Sequence, residues 1–173
     1  IVGGKAVHEY RKKLGEELAK ELSIEADIVS AVPDSGIPAA IGYSNQSKIT
    51  YDMGIIRNHY VGRTFIEPTQ QIRQLGVKLK HNANKEIIKN KRLILVDDSI
   101  VRGTTSKKLV DMLYNAGAKE IHLCISSPPI KHPDYYGIDT PNIKDLIAAN
   151  HSNEEIRKII GVDTLQYLSI EGL

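Results

Sequence analysis

The chain of 173 residues is long enough for one α/β domain with a substantial core and too short for two comparable ones. Its hydrophobic fraction of 41%, charged fraction of 25% and net charge of +2 are ordinary globular values, which give no electrostatic reason to expect a nucleic acid or a membrane surface as partner. The single cysteine cannot form an internal disulfide, and no apolar run or leader signal points to a membrane or to export, so we expect a cytoplasmic protein.

The first half of the chain alternates between helix and strand patterns. Apolar residues at helical spacing predict an amphipathic helix over residues 5–22. The apolar run at 26–32 predicts a buried strand, and a second helix follows over 37–46 with a proline in its first turn. Residues 49–56 are compatible with another strand.

The second half continues this alternation. Residues 57–68 are polar and irregular, and 69–80 have weak helical character. A β-branched run at 93–96 predicts a buried strand, a helical pattern follows over 106–115, and 120–126 predict one more strand. Strands that alternate with helices indicate parallel β-α units, whose functional loops lie at the carboxyl ends of the strands.

Two segments lie at such strand ends. The Pro-Asp-Ser-Gly turn at 33–36 follows the first predicted strand, and residues 97–105 follow the strand at 93–96, so we expect the two to share one site.

Near the C-terminus, residues 152–155 form a capping box that predicts a helix running to Ile160 and ending at Gly161.

The segment LILVDDSIVRGTTS, residues 93–106, carries the chemistry. Its loop of small residues leads into a helix, where unpaired backbone N–H groups and the helix dipole favour an anion. Asp97 and Asp98 do not suit a phosphate, so we expect them to face sugar hydroxyls or a hard cation. A ribose 5-phosphate that carries pyrophosphate at C1 meets both requirements: its 5-phosphate suits the loop, and its sugar hydroxyls and metal-binding pyrophosphate suit the two carboxylates. The alternative is an ordinary strand-to-helix turn with Thr104 as the helix cap.

This segment resembles the phosphoribosyl pyrophosphate (PRPP) binding motif of the type I phosphoribosyltransferases. Further segments, YVGRTFI at 60–66, YGIDTP at 136–141 and EEIRKIIGVDTL at 154–165, resemble the amidophosphoribosyltransferase family in particular. The resemblance implies an α/β fold with a central, mostly parallel sheet flanked by helices. It also implies the first reaction of de novo purine synthesis, in which PRPP, glutamine and water give 5-phosphoribosylamine, pyrophosphate and glutamate.

The resemblance assigns roles to individual residues. It places Arg63 and Lys80 in the catalytic machinery, where Lys80 contacts pyrophosphate and Arg63 closes over the substrate. Mg²⁺ is the implied cofactor, with ligands from Ser35, Asp97 and Asp98. The residues implied in PRPP binding are Asp34, Ser35, Asp97, Asp98, Ser99, Ile100, Val101, Arg102, Gly103, Thr104 and Thr105.

The resemblance also implies partners. We expect residues 1–173 to form one phosphoribosyltransferase domain of a longer polypeptide, because the chain starts at Ile1 rather than Met and lacks the family's N-terminal glutaminase domain. Ammonia would come from that domain, AMP or GMP would act as feedback inhibitors, and the protein would form a homo-oligomer. We expect no iron–sulfur cluster in this chain, because Asp134 stands where one branch of the family has a cysteine ligand.

Two other functions use the same motif. A nucleobase phosphoribosyltransferase of purine or orotate salvage needs a hood that stacks a base, and this chain has eight Tyr, one Phe and no Trp. A non-catalytic PRPP-sensing regulator usually adds a nucleic-acid-binding surface, of which the net charge gives little sign. Fold analogy alone excludes neither of them.

Overall fold

A four-stranded parallel sheet lies at the centre of the computed structural model, which describes residues 4, 6–58, 80–134 and 142–173. In chain order the elements are α1 (Val7–Glu21), β1 (Ile28–Ala31), α2 (Ile37–Ser47), β2 (Ile55–Arg57), β3 (His81–Ala83), α3 (Lys85–Ile88), β4 (Arg92–Asp97), α4 (Thr104–Asn115), β5 (Glu120–Ile125), a 3₁₀ helix (Ile143–Asp145), α5 (Ile147–Asn150), α6 (Asn153–Ile160) and β6 (Thr164–Tyr167).

The sheet has the strand order β1-β4-β5-β6, and every neighbouring pair is parallel. β2 and β3 form a separate antiparallel ribbon, which we call the β2–β3 ribbon. The predicted α/β architecture, a parallel sheet flanked by helices, is therefore confirmed. In the described ranges, no helix is long and apolar enough to cross a membrane.

Both faces of the sheet are covered, which is why the central strands read as continuous apolar runs. On one face Ile94 and Val96 pack with Leu18 of α1 and Tyr43 of α2. On the other face the alternate residues of the same strands pack against α4 and α6. That second cluster includes Leu93, Leu95, Ile121, Leu123, Leu109, Leu113, Ile156 and Ile160.

The helices α1 and α2 cross with their backbones in contact. Gly15 lies where a Cβ would overlap the carbonyl oxygen of Ala39, and a Cβ on Gly42 would overlap the carbonyl oxygen of Lys12. Each glycine therefore faces the main chain of the other helix, so the crossing has no room for a side chain at either point.

We expect Gly15→Ala to lower the free energy of unfolding by about 1–3 kcal/mol, because the new methyl group meets main chain that cannot rotate away. Helix propensity alone would give the opposite sign, a gain of about 1 kcal/mol. Urea unfolding measures the difference, with Lys13→Ala on the exposed side of α1 as a control that should change stability by less than about 0.5 kcal/mol. A Gly15→Ala protein as stable as the original would contradict the close crossing.

Most predicted elements are confirmed with boundaries shifted by a few residues, but the strand over 49–56 is wrong. Tyr51 makes only an isolated parallel bridge to Val29, and the chain then turns at Gly54, whose N–H donates to the carbonyl of Asp52 (3.0 Å) and to Ser30 Oγ (2.9 Å). Strand β2 begins after that turn, at Ile55.

The predicted C-terminal helix is confirmed together with both of its ends. Ser152 caps α6, with the reciprocal bonds of a capping box to Glu155, and Gly161 ends the helix in the left-handed conformation. The predicted helix over 106–115 begins two residues earlier, at Thr104. The sequence does not predict the short elements β3, α3, α5, β6 and the 3₁₀ helix, which follow no strong pattern. The predicted weak helix over 69–80 lies outside the described residues except for Lys80.

Candidate active site

Two loops begin side by side at the carboxyl edge of the sheet, because β1 and β4 are adjacent and parallel. The first loop, residues 33–36, follows β1, and the second loop, residues 98–103, follows β4. Val32 N–H donates to the carbonyl of Val96 (2.9 Å), and a Cβ on Gly36 would lie only 2.5 Å from the same oxygen. The structure thus brings together the two segments that the sequence placed in one site.

An acidic pair stands at the end of β4. Asp97 is 8% exposed and Asp98 is half-buried, and the Asp98 N–H donates to Asp97 Oδ1 (2.8 Å). Burial first, and the Asp98 charge second, raise the pKa of Asp97 well above its ordinary value. Within the described residues neither carboxylate forms an ion pair. A buried carboxylate of this kind is suited to a cation or to hydroxyl donors supplied by a ligand.

The backbone of Asp97 is held by the neighbouring strand. The N–H of Ser126, just past β5, donates to the Asp97 carbonyl (2.9 Å), and the Ser126 hydroxyl, itself 5% exposed, donates to the same oxygen (3.3 Å). Sequence reasoning missed Ser126, since only the register of β4 with β5 shows that it reaches the acidic pair.

The second loop presents an uncapped helix start. Gly103 occupies the N-cap of α4 with φ +74°, a conformation that favours glycine, and no side chain of the described residues caps this helix. Thr104 is the first helical residue and not the cap, so the alternative of an ordinary Thr-capped turn is wrong. Two contacts fix the loop on the domain. The Ile100 side chain is buried in the core, at 2% exposure, and Ile147 N–H donates to the Val101 carbonyl (2.9 Å).

The other predicted residues of this loop lie around that helix start. Ser99 is half-buried, and Thr105 is exposed on the first turn of α4. The Arg102 side chain is exposed and pairs with Asp145 of the 3₁₀ helix (Nη2 to Oδ2, 3.3 Å). The guanidinium of Arg102 is thus directed to the segment before α5.

The first loop carries Asp34, which is exposed, and Ser35, which is half-buried. Its Pro33–Asp34 peptide bond is cis. The Asp34 carboxylate accepts a hydrogen bond from the guanidinium of Arg57 at the end of β2. The sequence resemblance implies a substrate-binding role for Asp34, but no sequence pattern predicts this ion pair, whose partners are 23 residues apart.

The β2–β3 ribbon and the residue before β3 supply two further groups. Lys80 is half-buried just before β3, and its carbonyl accepts the Asn58 N–H (2.7 Å). The His81 ring lies close to the Pro33 carbonyl, and burial lowers the pKa of His81, whose buried Nδ1 has no hydrogen-bond partner within the described residues. Arg63 and residues 136–141, which the sequence also implicates, lie outside the described residues.

The acidic pair fits a cation that takes few protein ligands. Within the described ranges no cluster of three or more His, Cys, Asp or Glu side chains forms a complete metal site. Asp97 and Asp98 alone, at a site that would also hold substrate phosphates, are a donor set suited to Mg²⁺, which keeps several waters and phosphate oxygens as ligands.

Comparison with known proteins identifies the domain type. Residues 5–137 match the model of the Phosphoribosyl transferase domain. The chain belongs to this family. It is 58% identical to the amidophosphoribosyltransferase of Rhizobium etli over 174 residues, covering 100% of the chain and 35% of that protein. It is 56% identical to the amidophosphoribosyltransferase of Bacillus subtilis, covering 99% of the chain and 36% of that protein.

A solved structure agrees with this assignment. The phosphoribosyl transferase domain superposes with a TM-score of 0.89 on glutamine PRPP amidotransferase from B. subtilis complexed with ADP and GMP, at 55% identity, covering 99% of this chain and 38% of that one. The sequence resemblance to amidophosphoribosyltransferases is therefore confirmed. The chain spans about a third of the length of the curated relatives that it matches.

Proposed function

We propose that this chain is the phosphoribosyltransferase part of an amidophosphoribosyltransferase. It would bind PRPP and transfer ammonia, released from glutamine in the full-length enzyme, to C1 of the ribose. The products would be 5-phosphoribosylamine and pyrophosphate, in the first step of de novo purine biosynthesis. The observation that carries this proposal is the acidic pair of buried Asp97 and half-buried Asp98, which precedes an uncapped helix start and ends the strand beside the first loop. The identity to amidophosphoribosyltransferases supports it.

In this proposal the second loop binds the 5′-phosphate. Backbone N–H groups at the start of α4 are oriented toward the loop, and the exposed Thr104 and Thr105 add hydroxyl donors. Asp97 and Asp98 would accept hydrogen bonds from the ribose hydroxyls and bind Mg²⁺, with an oxygen of Ser35 near the metal. When bound, Mg²⁺ would neutralise charge on the departing pyrophosphate.

The pyrophosphate half of the site would lie at the first loop. Lys80 would contact the pyrophosphate, and Arg63 would close over the substrate. The nitrogen of ammonia bonds to C1 while the C1–oxygen bond to pyrophosphate breaks, and one proton is then lost from the new amine. The residues act by holding PRPP in position and by excluding water, which would otherwise hydrolyse it.

The described residues offer no activated thiol for a covalent step. Cys124, the single cysteine, is fully buried in β5, and burial raises the pKa of its thiol to about 12. A thiol with this pKa is protonated at neutral pH, so we assign it to the core and not to the release of ammonia from glutamine.

We expect pyrophosphate release from PRPP with ammonium but not with glutamine, because the chain supplies no glutaminase nucleophile. Free ammonia is the attacking species, so the rate should rise with pH as ammonium deprotonates. The measurement is Mg²⁺-dependent pyrophosphate release with ammonium, glutamine, adenine, hypoxanthine or orotate as acceptor. Release with a nucleobase but not with ammonium would contradict the proposal in favour of salvage, and tight PRPP binding without turnover would favour a sensor.

The remaining partners are part of the same proposal. We propose that AMP and GMP inhibit the full-length enzyme, which the same assay measures when either nucleotide is added. A glutaminase domain, a homo-oligomeric assembly and a cytoplasmic location complete the proposal, with Mg²⁺ as cofactor and no iron–sulfur cluster bound by this chain.

A further inference from the structure

The β2–β3 ribbon presents two side chains to the first loop. Arg57 and His81 are directly opposed in the antiparallel register of the ribbon, so their side chains extend from the same face. The Arg57 guanidinium donates to the Asp34 carboxylate, and the partly buried His81 ring, on the same face of the ribbon, lies close to the Pro33 carbonyl. Two opposed residues of the ribbon thus contact two consecutive residues of the loop.

The loop has its own backbone anchors at both ends. Val32 N–H donates to the Val96 carbonyl (2.9 Å), and Gly36 N–H donates to the Val32 carbonyl (3.0 Å). The Pro33 carbonyl and the Asp34 carboxylate lie between these anchors and receive their contacts from the ribbon. Removing the ribbon contacts should therefore leave the loop folded while changing where its central residues lie.

The ion pair contributes little to stability. The Arg57 side chain is 35% exposed and the Asp34 side chain is 51% exposed, and ion pairs with this exposure stabilise a fold only weakly. Its effect should appear instead in the position of the loop.

We infer that Arg57 and His81 are positioning residues for the pyrophosphate half of the site, which hold the first loop through Asp34 and Pro33. This inference rests on the proposed function, because it takes the first loop to be the pyrophosphate loop. Both residues act through the loop and neither needs to touch the reacting atoms. Pyrophosphate affinity should therefore depend on them, while affinity for ribose 5-phosphate, bound at the second loop, should not.

The test measures the two ligands separately by calorimetry on the full chain. With Mg²⁺ present, Arg57→Ala and His81→Leu should each weaken pyrophosphate binding about tenfold, because each removes a polar side chain that packs against the first loop. Each should leave ribose 5-phosphate affinity within about twofold. Arg57→Lys retains the charge that faces Asp34, and His81→Gln retains a polar side chain beside the loop, so both should restore most of the pyrophosphate affinity.

A matched control is available at the opposite edge of the sheet. Arg92 pairs with Asp27 (3.2 Å) at the amino end of β4, so Arg92→Ala removes an Arg–Asp pair remote from the loop and should change neither affinity. An equal loss for both ligands in Arg57→Ala and His81→Leu, or no loss for either, would overturn the inference alone. Failure of the unchanged protein to bind pyrophosphate with Mg²⁺ would overturn the proposed function and this inference with it.

Discussion

Asp97→Asn is expected to weaken Mg²⁺-dependent PRPP binding by about two orders of magnitude and, at the same time, to stabilise the ligand-free protein at neutral pH. The loss follows because Asp97 would provide both a metal ligand and an acceptor for a ribose hydroxyl, and charge-assisted contacts of this kind are worth a few kcal/mol together. Asp97 is 8% exposed, so its ionised form is a buried charge when no ligand is bound.

The gain in stability follows from the pKa of Asp97, which burial and the Asp98 charge raise well above its ordinary value. A raised pKa means that the folded state binds the proton more tightly than the unfolded state does. The stability that this gives is fully present below the unfolded pKa and is lost as pH rises through the folded pKa. Asparagine does not ionise, so the advantage of Asp97→Asn should grow with pH to the order of 1 kcal/mol.

Calorimetry with PRPP and Mg²⁺ measures the first effect, and urea unfolding between pH 4 and 8 in a chelating buffer measures the second. Asp111→Asn, an exposed aspartate on α4, is the matched control and should change neither quantity. The double change Asp97→Asn with Asp98→Asn should weaken PRPP binding at least as strongly. Unchanged PRPP affinity in the double variant would disprove the metal and ribose role of the pair.

Gly36→Ala should disrupt both the fold and the pyrophosphate half of the site. The new Cβ would lie 2.5 Å from the Val96 carbonyl oxygen, 2.9 Å from the Val32 carbonyl oxygen and 3.2 Å from the Asp97 Cα. All three are main-chain atoms at the end of the sheet, so the first loop must move away from β4. We expect a loss of about 2–3 kcal/mol in the free energy of unfolding and at least about tenfold in pyrophosphate affinity.

Gly161→Ala separates the two effects. Gly161 has φ +86°, and no atom lies within 4 Å of the position that a Cβ would occupy, so alanine there is strained without a clash and should cost about 1 kcal/mol. It lies at the end of α6, so pyrophosphate affinity should not change. Urea unfolding measures the stability of both variants, and calorimetry measures their affinity for pyrophosphate. Full pyrophosphate affinity in a folded Gly36→Ala protein would contradict the tight junction between the first loop and β4.

The sequence predicts the sheet and the meeting of the two loops because both depend on local patterns. Buried parallel strands read as apolar runs, and adjacent parallel strands place their following loops at one edge. The strand predicted over 49–56 failed because Asp52 and Gly54 form a turn that the apolar residues on either side conceal. A hydrophobic pattern indicates which residues are buried but not whether they form a strand. Tyr51 pairs with β1 through a single bridge and not through a continuous ladder of hydrogen bonds.

The supporting contacts of the site depend on register and packing, which the sequence does not encode locally. Ser126 is 29 residues from Asp97, and Arg57 is 23 residues from Asp34. No spacing rule links such partners, since each is set by how strands align in space. The motif therefore predicts which residues face a ligand, while the structure shows which residues hold those in place.

The backbone contact between α1 and α2 has a consequence for ligand design. Main chain packed on main chain leaves no side chain that can change rotamer, so α2, which follows the first loop directly in the chain, should resist displacement. The β2–β3 ribbon, in contrast, contacts the first loop through two long or rotatable side chains, Arg57 and His81. An inhibitor of the proposed pyrophosphate site that is bulkier than pyrophosphate would therefore gain room by displacing the ribbon, whereas chemical extensions directed at α2 would meet main chain that cannot move aside.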